Sequence, residues 1–427
     1  MPETPYVPRI LDARLRDDLA TLPAVVVEGP KAVGKTRTAQ RLVSSEFRLA
    51  RAEVAQNLAG GTDVIEKAAP PVLIDEWQRV PRIWDDVREW VDADPTPGRF
   101  LLTGSAAPRD VPMHSGAGRI VSMRMRPLSL AERDFDRPSV SVAELVNGSG
   151  AEVGGATEAG LADYVAEITA SGFPAIRSLG SSKARSRALD GYVDAIVTKE
   201  FPDQGLMVRK PEALLGWMRG YALATGSTSS YNAILDAATT GESDKPAKST
   251  ALAYRDTLAS LWMLDPVPAW RPVANGPGVP LASSPKHFLA DPALATRLLD
   301  VDDVTLVAGS RLDPLGPQAG PLLGRLFEAL VALNLQTYAQ ACDARLSHLR
   351  TANGQHEVDF LVTRRDRVVA IEVKLARSVD GRDVRHLNWL ESVLPAYRVT
   401  KVCVTTGPWA FTRDDGVHVV PAALLGP

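Results

Sequence analysis

Cysteine is almost absent from this chain, and its scarcity excludes several classes of protein. Cys342 and Cys403 are the two that occur, and they lie far apart along the sequence. A disulfide framework or a zinc site needs several cysteines at short spacings, so we expect neither. So few thiols are typical of a reducing compartment, and we expect a cytoplasmic protein.

Long apolar runs and an excess of charge are absent as well. No stretch of about 18 apolar residues occurs, and the N-terminus lacks the segments of a secretory signal, so we expect no membrane partner. The formal net charge of -3 excludes a surface coated with positive charge but allows a local basic patch. With 427 residues, 45% of them hydrophobic, the chain suffices for two or three globular domains.

Short apolar runs alternate with helical segments in the first part of the chain. The runs Ala24–Glu28, Pro71–Asp75 and Arg99–Gly104 end in glycine, acidic or small polar residues, as buried parallel strands do. This alternation predicts an α/β domain over residues 1–136, with helices on both faces of a parallel sheet. Residues 137–160 are rich in Ser, Gly, Val and Glu and are predicted to form a loop or linker.

The rest of the chain divides into helical segments and a second α/β domain. Residues 160–210 are predicted to form a small helical lid domain, and residues 211–300 a second helical domain. In residues 322–427 an amphipathic helix, Gly324 to Ala339, precedes a series of strand-like runs.

The segment from Gly29 to Thr36 fits the phosphate-binding pattern G-x-x-x-x-G-K-[ST]. Gly29 and Gly34 let backbone amides approach phosphate oxygens, and the next helix directs its positive end toward them. We expect Lys35 to reach the β- and γ-phosphates and Thr36 to ligate Mg²⁺. A strand before the segment and a helix after it favour a P-loop over an ordinary glycine turn.

Two further polar motifs follow later strands of the same predicted sheet. Asp75, at the end of its strand, is placed to hold Mg²⁺, and Glu76 to polarise the attacking water. Adjacent acids also occur as helix N-caps, so this signal gains its strength from the P-loop. Thr103 or Ser105 is a candidate contact to the γ-phosphate or, equally, a turn residue.

These motifs together resemble the AAA-type P-loop ATPases, and the resemblance continues at Ser115–Arg119 and Arg126–Glu132. It implies ATP and Mg²⁺ as ligands, ATP hydrolysis, and a P-loop NTPase parallel sheet. It also implies a catalytic finger at Arg119 that reaches a neighbour's γ-phosphate, a role that requires a homo-oligomer; an ordinary salt bridge is the alternative. Ser171–Pro174 is similar to the family's small-domain motif over the adenine, which makes Pro174 a nucleotide contact. The middle region resembles a winged-helix module.

Four residues of the C-terminal region form a second candidate site. Asp359 lies in one predicted strand, Glu372 and Lys374 alternate on the next, and Glu328 lies in the preceding helix. If these side chains converge, the carboxylates bind Mg²⁺ and the lysine positions water or stabilises charge. The alternative is an exposed strand face on which acids and lysines alternate without a function.

This set resembles the PD-(D/E)XK core and implies a restriction-endonuclease-like α/β domain, with Glu328, Asp359 and Glu372 as ligands of Mg²⁺ or Mn²⁺ and Lys374 as a catalytic residue. The domain would then bind or cut DNA, and nearby basic residues would contact its phosphates: Arg350, Arg364, Arg365, Arg367, Arg377, Arg382 and Arg385.

Three functions are consistent with these patterns. The first is an ATPase that acts on DNA, which the complete acid and lysine set favours. The second is a nucleotide-controlled signalling switch or scaffold with a C-terminal interaction module. The third is a protein that holds ATP without hydrolysing it, against which Asp75 and Glu76 both argue.

Overall fold

The first unit of the fold is an α/β domain built on a parallel sheet. The computed structural model describes residues 5–106, 116–148, 152–238, 247–272, 276, 278–308 and 319–427. The elements of this unit are α1 (Leu11–Thr21), β1 (Ala24–Glu28), α2 (Lys35–Ala39), β2 (Ser45–Arg48), α3 (Ala52–Gly60), α4 (Asp63–Glu66), β3 (Val72–Asp75), α5 (Ile83–Ala93), β4 (Phe100–Gly104) and β5 (Ile120–Arg124). The strands are parallel in the order β2, β3, β4, β1, β5, as the alternating pattern predicts.

Both faces of this sheet are buried, which explains why its strands are continuous apolar runs. In β1, Val25 and Val27 pack into the core that contains α1, whereas Ala24 and Val26 pack into the core that contains α5. Parallel register aligns the strand ends, so Glu28 of β1 lies beside Gly104 of β4. The polar residues that follow the strands therefore meet at the carboxyl ends of the strands.

The segment predicted as a linker is mostly part of the C-terminal unit. It contains β6 (Val140–Ser141), α6 (Val142–Asn147) and β7 (Gly155–Ala156), so the prediction of a loop over residues 137–160 is wrong in large part. Val142 and Leu145 are buried at helical spacing, which anchors α6 despite the surrounding Ser and Gly. The strands on either side of it pair with strands far away in sequence, described below.

The middle of the chain is helical, as predicted. Its helices are α7 (Leu161–Ala170), α8 (Pro174–Arg177), α9 (Ser182–Ala195), α10 (Phe201–Asp203), α11 (Pro211–Leu223), α12 (Tyr231–Ala238), α13 (Lys248–Ser260), α14 (Pro292–Leu298) and α15 (Asp303–Ala308). A π-helical turn, Ile196–Glu200, joins α9 to α10. Two antiparallel bridges, Leu264 to Leu289 and Val267 to Lys286, close the loop between α13 and α14.

The C-terminal unit is a mixed sheet flanked by helices. It consists of α16 (Ala319–Ala341), β8 (Arg345–Arg350), β9 (Glu357–Arg364), β10 (Arg367–Val373), α17 (Arg385–Val393), β11 (Arg398–Thr405), β12 (Trp409–Thr412), β13 (His418–Pro421) and β14 (Leu425–Gly426). The sheet order is β7, β12, β13, β11, β10, β9, β8, and β6 pairs with β14. Val369 and Ile371 of β10 face the core that contains α16, whereas Val368 and Ala370 face α17.

Buried polar contacts join the three units. Asp265, after α13, forms ion pairs with Arg124 (2.8 Å) and Arg126 (2.7 Å) of the first unit. Arg126 also donates a hydrogen bond of 2.6 Å to the side chain of Gln336 on α16. Within the described ranges, no helix is both long and apolar enough to span a bilayer.

Candidate functional site

The P-loop connects the end of β1 to the start of α2, and its glycines are required by the geometry. Gly29 has φ of +153°, and a Cβ at this position would lie 2.1 Å from the carbonyl oxygen of Met125. Gly34 has φ of +106°, in the region that side chains rarely adopt. The close approach of Met125 ties the loop to the residue that follows β5.

Lys35 opens α2 and is buried, with 5% of its surface exposed. Its Nζ donates hydrogen bonds to the carbonyl oxygens of Gly29 (2.8 Å) and Pro30 (2.9 Å). Burial lowers the pKa of Lys35 to about 8, although the nearby carboxylates of Glu76 and Asp75 favour its charged form. The ammonium is thus held by the loop in a place where phosphate oxygens would offer stronger, charged partners.

Asp75 ends β3 and accepts two hydroxyl hydrogen bonds on one oxygen. Thr36 Oγ1 and Thr103 Oγ1 each lie 2.6 Å from its Oδ1. A carboxylate and a threonine hydroxyl in contact at the P-loop form the oxygen donor set that Mg²⁺ prefers. The donors therefore fit the expected ion. Of the two candidates for a γ-phosphate contact, Thr103 donates its hydroxyl hydrogen bond to Asp75. Ser105 instead donates to the carboxylate of Glu76.

Glu76 adopts a backbone conformation that is uncommon for a side-chain-bearing residue, with φ of +59°. Its Oε2 accepts hydrogen bonds from Ser105 Oγ (2.7 Å) and from Gln78 Nε2 (2.5 Å). Such strain costs about 1–3 kcal/mol and tends to occur at functional sites. Gln78 was not predicted, because its position in a single 3₁₀ turn, Trp77–Arg79, carries no sequence pattern.

A cleft of about 880 Å³ is lined by Gly34, Lys35, Thr36 and Glu76 and by Pro174, the first residue of α8. The other predicted nucleotide residues, Gly29, Asp75 and Ser105, do not line it, although Asp75 contacts Thr36 and Ser105 contacts Glu76. Next to Pro174, the backbone N–H of Gly172 is held by Asp291, whose Oδ2 accepts it at 2.7 Å.

The N-terminal segment forms a wall of this cleft that the sequence did not predict. Tyr6 and Arg9 both line it. Arg9 is buried, donates to the Val33 carbonyl oxygen at 2.8 Å and pairs with Glu132 at 2.9 Å. Neither residue belongs to a recognisable motif, so the long-range pair with Glu132 had no signal in the sequence.

Arg119 lies at the amino-terminal end of the parallel strands, whereas the P-loop lies at their carboxyl end. It precedes β5, whose first residue, Ile120, pairs with Ala24 at the start of β1. Its Nε lies 2.7 Å from Asp92 Oδ1, and the side chain is 39% exposed. Arg119 does not line the cleft of its own chain, so its role as a finger in a neighbouring subunit stays a prediction. Ser115 of the same motif lies outside the described residues.

The predicted acids of the C-terminal unit surround a lysine that the sequence did not assign to them. Nζ of Lys286 lies 2.8 Å from both Glu328 Oε1 and Asp359 Oδ1, and 3.4 Å from Glu357 Oε1. The two residues of the E-x-K motif pair with each other, since Lys374 Nζ lies 2.8 Å from Glu372 Oε1. In the part of the chain that is described, no group of three or more His, Cys, Asp or Glu is arranged to hold a metal.

Burial and neighbouring charges shift the pKa values of this cluster in opposite directions. Burial raises the pKa of Glu328 to about 7, against the effect of Lys286. Burial and the charge of Asp359 raise the pKa of Glu372 to about 8. Burial also opposes ionisation of Asp359, but the Lys286 ammonium beside it holds its pKa below the usual value.

The basic residues predicted around these acids are divided between the two ends of the hairpin. Arg364, Arg365 and Arg367 lie at the turn between β9 and β10, whereas Asp359 lies near the start of β9 and Glu372 near the end of β10. They line a cleft of about 370 Å³ together with Arg398. The prediction that basic residues surround the acids is wrong for Arg364, Arg365 and Arg367, because the strands are long enough to separate these three from Asp359 and Glu372. Arg350, by contrast, lies 3.8 Å from Glu357.

Three families match successive parts of this chain. Residues 22–133 match the AAA domain family, residues 161–305 a domain of unknown function (DUF8612), and residues 323–425 another domain of unknown function (DUF4143). The chain is 26% identical over 419 residues to the uncharacterized protein Rv2008c of Mycobacterium tuberculosis and, equally, to the uncharacterized protein Mb2031c of Mycobacterium bovis. Each match covers 96% of this chain and 82% of the relative.

Two solved structures are loosely similar. The Walker-type ATPase PABY2304 of Pyrococcus abyssi has a TM-score of 0.40 and 14% identity, over 69% of this chain and 96% of that one. The ORC2 protein of Aeropyrum pernix, in ADPNP and ADP complexes, has a TM-score of 0.25 and 12% identity, over 75% of this chain and 91% of that one. Neither structure is similar enough to support an argument. The match of residues 22–133 to the AAA domain family agrees with the P-loop geometry, and it makes the N-terminal region of this chain similar to a P-loop ATPase domain.

Proposed function

We propose that this protein binds ATP with Mg²⁺ in the cleft between the P-loop and Pro174 and hydrolyses it. The observation that carries the proposal is the convergence of Lys35, Thr36, Asp75 and Glu76 at one edge of the parallel sheet. These residues come from two segments of the chain, and each has the chemistry that one part of phosphoryl transfer requires.

The residues divide the work of phosphoryl transfer. Lys35 exchanges its two loop carbonyl partners for phosphate oxygens, which are better acceptors because they are charged. Thr36 and Asp75 would hold Mg²⁺, which would supply positive charge to neutralise the phosphates. Glu76 accepts a proton from the attacking water, and the hydrogen bonds from Ser105 and Gln78 orient its carboxylate.

Two substitutions separate binding from turnover. Lys35→Ala should weaken ATP binding and abolish hydrolysis, because the phosphates lose their cation. Glu76→Gln should still bind ATP but turn over ~10²–10⁴-fold more slowly, as expected when a general base is lost. Glu66→Gln, on the exposed face of α4, is the matched control and should change neither quantity. Unchanged ATPase rates in both site variants would refute the proposal.

A second candidate function, binding to DNA, is favoured by the arginines at the turn between β9 and β10. Among the described residues Arg364, Arg365 and Arg367 form no salt bridge, and Arg365 also lines a second cleft of about 940 Å³. That cleft contains further arginines from all three units: Arg14, Arg124, Arg126, Arg271 and Arg345. Arg124 and Arg126 are neutralised by Asp265 and Arg14 by Asp343, so the arginines at the β9–β10 turn are the part of this surface that suits a phosphate backbone.

Charge reversal tests the DNA-binding candidate. Arg365→Glu should weaken binding of a short DNA duplex, and the slope of log affinity against log salt should fall by about 0.9 for each phosphate that the variant no longer neutralises. Arg382→Glu is the control, since its side chain is 88% exposed and already paired with Asp380. Equal binding by both variants would remove this surface as a DNA site and favour the signalling switch or scaffold.

Metal-dependent cleavage by the C-terminal unit stays a prediction. Two of the three predicted ligands of Mg²⁺ or Mn²⁺, Glu328 and Asp359, do not fit a metal as they are arranged, because the Lys286 ammonium contacts both of them. Asp359 Oδ2 in turn accepts the backbone N–H of Val373 at 2.9 Å. Neither oxygen of Asp359 is left without a donor, and we assign no reaction to this cluster.

A further inference from the structure

We propose that Lys286 is the built-in cation of the acidic cluster formed by Glu328, Glu357 and Asp359, and that the C-terminal unit binds no divalent metal while this lysine is in place. The cluster would then be a metal-free lock between the middle region and the C-terminal unit. This inference is independent of ATP hydrolysis, which takes place at the P-loop.

The geometry of the lysine is that of a residue built into the site. Its side chain is 1% exposed, its ammonium donates a hydrogen bond to Asp359 Oδ1, and it forms ion pairs with Glu328 at 2.8 Å and Glu357 at 3.4 Å. Phe360 covers it from another side, with the ring centre 5.5 Å from Nζ. An ammonium so enclosed takes the central position between Glu328 and Asp359 that a shared metal ion would need.

The backbone of Lys286 is fixed by the middle region. Its N–H donates to the Val267 carbonyl oxygen and its own carbonyl oxygen accepts from the Val267 N–H, both at 2.9 Å. The next residue, His287, is buried, and its Nε2 lies 2.8 Å from the Ser229 carbonyl oxygen. Lys286 therefore reaches the cluster from a rigid bridge, and withdrawing it would require the middle region to move away from α16 and β9.

The charge balance explains why the acids need this lysine. The side chains of Glu328 and Asp359 are only 13% and 15% exposed, and carboxylates that share a site repel one another. The second lysine, Lys374, is engaged by Glu372, so it is not available to replace Lys286. If the ammonium is removed and the carboxylates remain, we expect the cluster to bind another cation in its place.

Mn²⁺ binding to the nucleotide-free full chain tests the proposal. Electron paramagnetic resonance measures the bound Mn²⁺. We expect the wild type and Asp359→Asn to bind the same amount of Mn²⁺. Lys286→Met keeps the length of the side chain but removes its charge, and it should bind one additional Mn²⁺ that is lost again in Lys286→Met/Asp359→Asn. Lys374→Met is the matched control: it removes a lysine from the same neighbourhood, leaves Lys286 in place and should gain no metal.

Each outcome decides the proposal. Wild-type Mn²⁺ binding that depends on Asp359 would overturn it, and this measurement holds even if Lys286→Met fails to fold. A folded Lys286→Met protein without added Mn²⁺ binding would overturn it too, because the acids would then be neutralised by protons alone. ATPase activity, measured in parallel on the wild type, reports on the P-loop proposal separately.

Discussion

The lowered pKa of Lys35 predicts that nucleotide binding weakens as the pH rises above about 8. Burial lowers this pKa to about 8 in the protein without nucleotide, so the lysine loses its charge in mildly alkaline solution. The charged groups that face it are Glu76, Asp75, Lys31 and Glu28. Only the charged form attracts phosphates, and a bound nucleotide keeps it charged. Binding above pH 8 must therefore take up a proton.

The expected magnitude follows from the fraction of charged lysine. With a pKa of about 8, that fraction falls from roughly three quarters at pH 7.5 to roughly a tenth at pH 9. Affinity should then fall ~8-fold, or ~1 kcal/mol, over this range. Nucleotide phosphates, with a second pKa near 6, are fully ionised throughout it, so the change originates in the protein.

Calorimetric titration with ADP, without Mg²⁺, in buffers of different ionisation enthalpy measures both the affinity and the proton uptake. Lys35→Arg is the control, because its guanidinium stays charged and its affinity, although lower, should be independent of pH. A wild-type affinity that is constant between pH 7.5 and 9, with no proton uptake, would show that Lys35 is already charged. Burial would then not lower the pKa of Lys35 into this pH range.

Three further predictions concern single residues. Arg119→Ala should bind ATP normally but lose hydrolysis, and mixing it with Lys35→Ala should restore part of the ATPase activity. If Arg119→Ala is a monomer with full ATPase activity, Arg119 is not a finger. Gly29→Ala should abolish nucleotide binding, because its Cβ would lie 2.1 Å from the Met125 carbonyl oxygen, whereas Gly61→Ala, with open space around it, should not. Glu372→Gln should raise the melting temperature at pH 8.5 but not at pH 5. The pKa of Glu372 is raised to about 8, so ionisation of this carboxyl destabilises the fold at alkaline pH, and the amide of the variant cannot ionise.

The strands and the phosphate-binding segment were predictable because their signals are local. β1, β3 and β4 are short apolar runs buried on both faces, and each ends within one residue of the predicted position. The P-loop pattern is contained in eight successive residues, Gly29 to Thr36. The positive φ of Gly34 is a local requirement, whereas Gly29 is also required by the close approach of the distant Met125 carbonyl oxygen. The edge at which Asp75, Glu76 and Ser105 meet follows from parallel strand direction.

The pairing of distant segments was decided by the tertiary structure. Residues 137–160 resemble a linker in composition, but they add β7 to the edge of a sheet built more than 200 residues later, because unpaired backbone groups at that edge are available. Arg119 follows the strand-end motifs in sequence, yet it lies at the opposite end of the strands from the P-loop. The reason is that it precedes β5, which runs parallel to β1. Neither position has a local signal.

The sequence by itself determined the P-loop, the order of the α/β units and the identity of the C-terminal acids, because each depends on residues close together in the chain or on a simple periodicity. Only the tertiary structure decided what the acids contact. Lys286 lies 73 positions before Asp359, in a segment with no motif, and its ammonium reaches the carboxylate only because the middle region packs against β9. The choice between a metal and a lysine depends on which cation the folded chain brings into the cluster, and a pattern of acids cannot specify that.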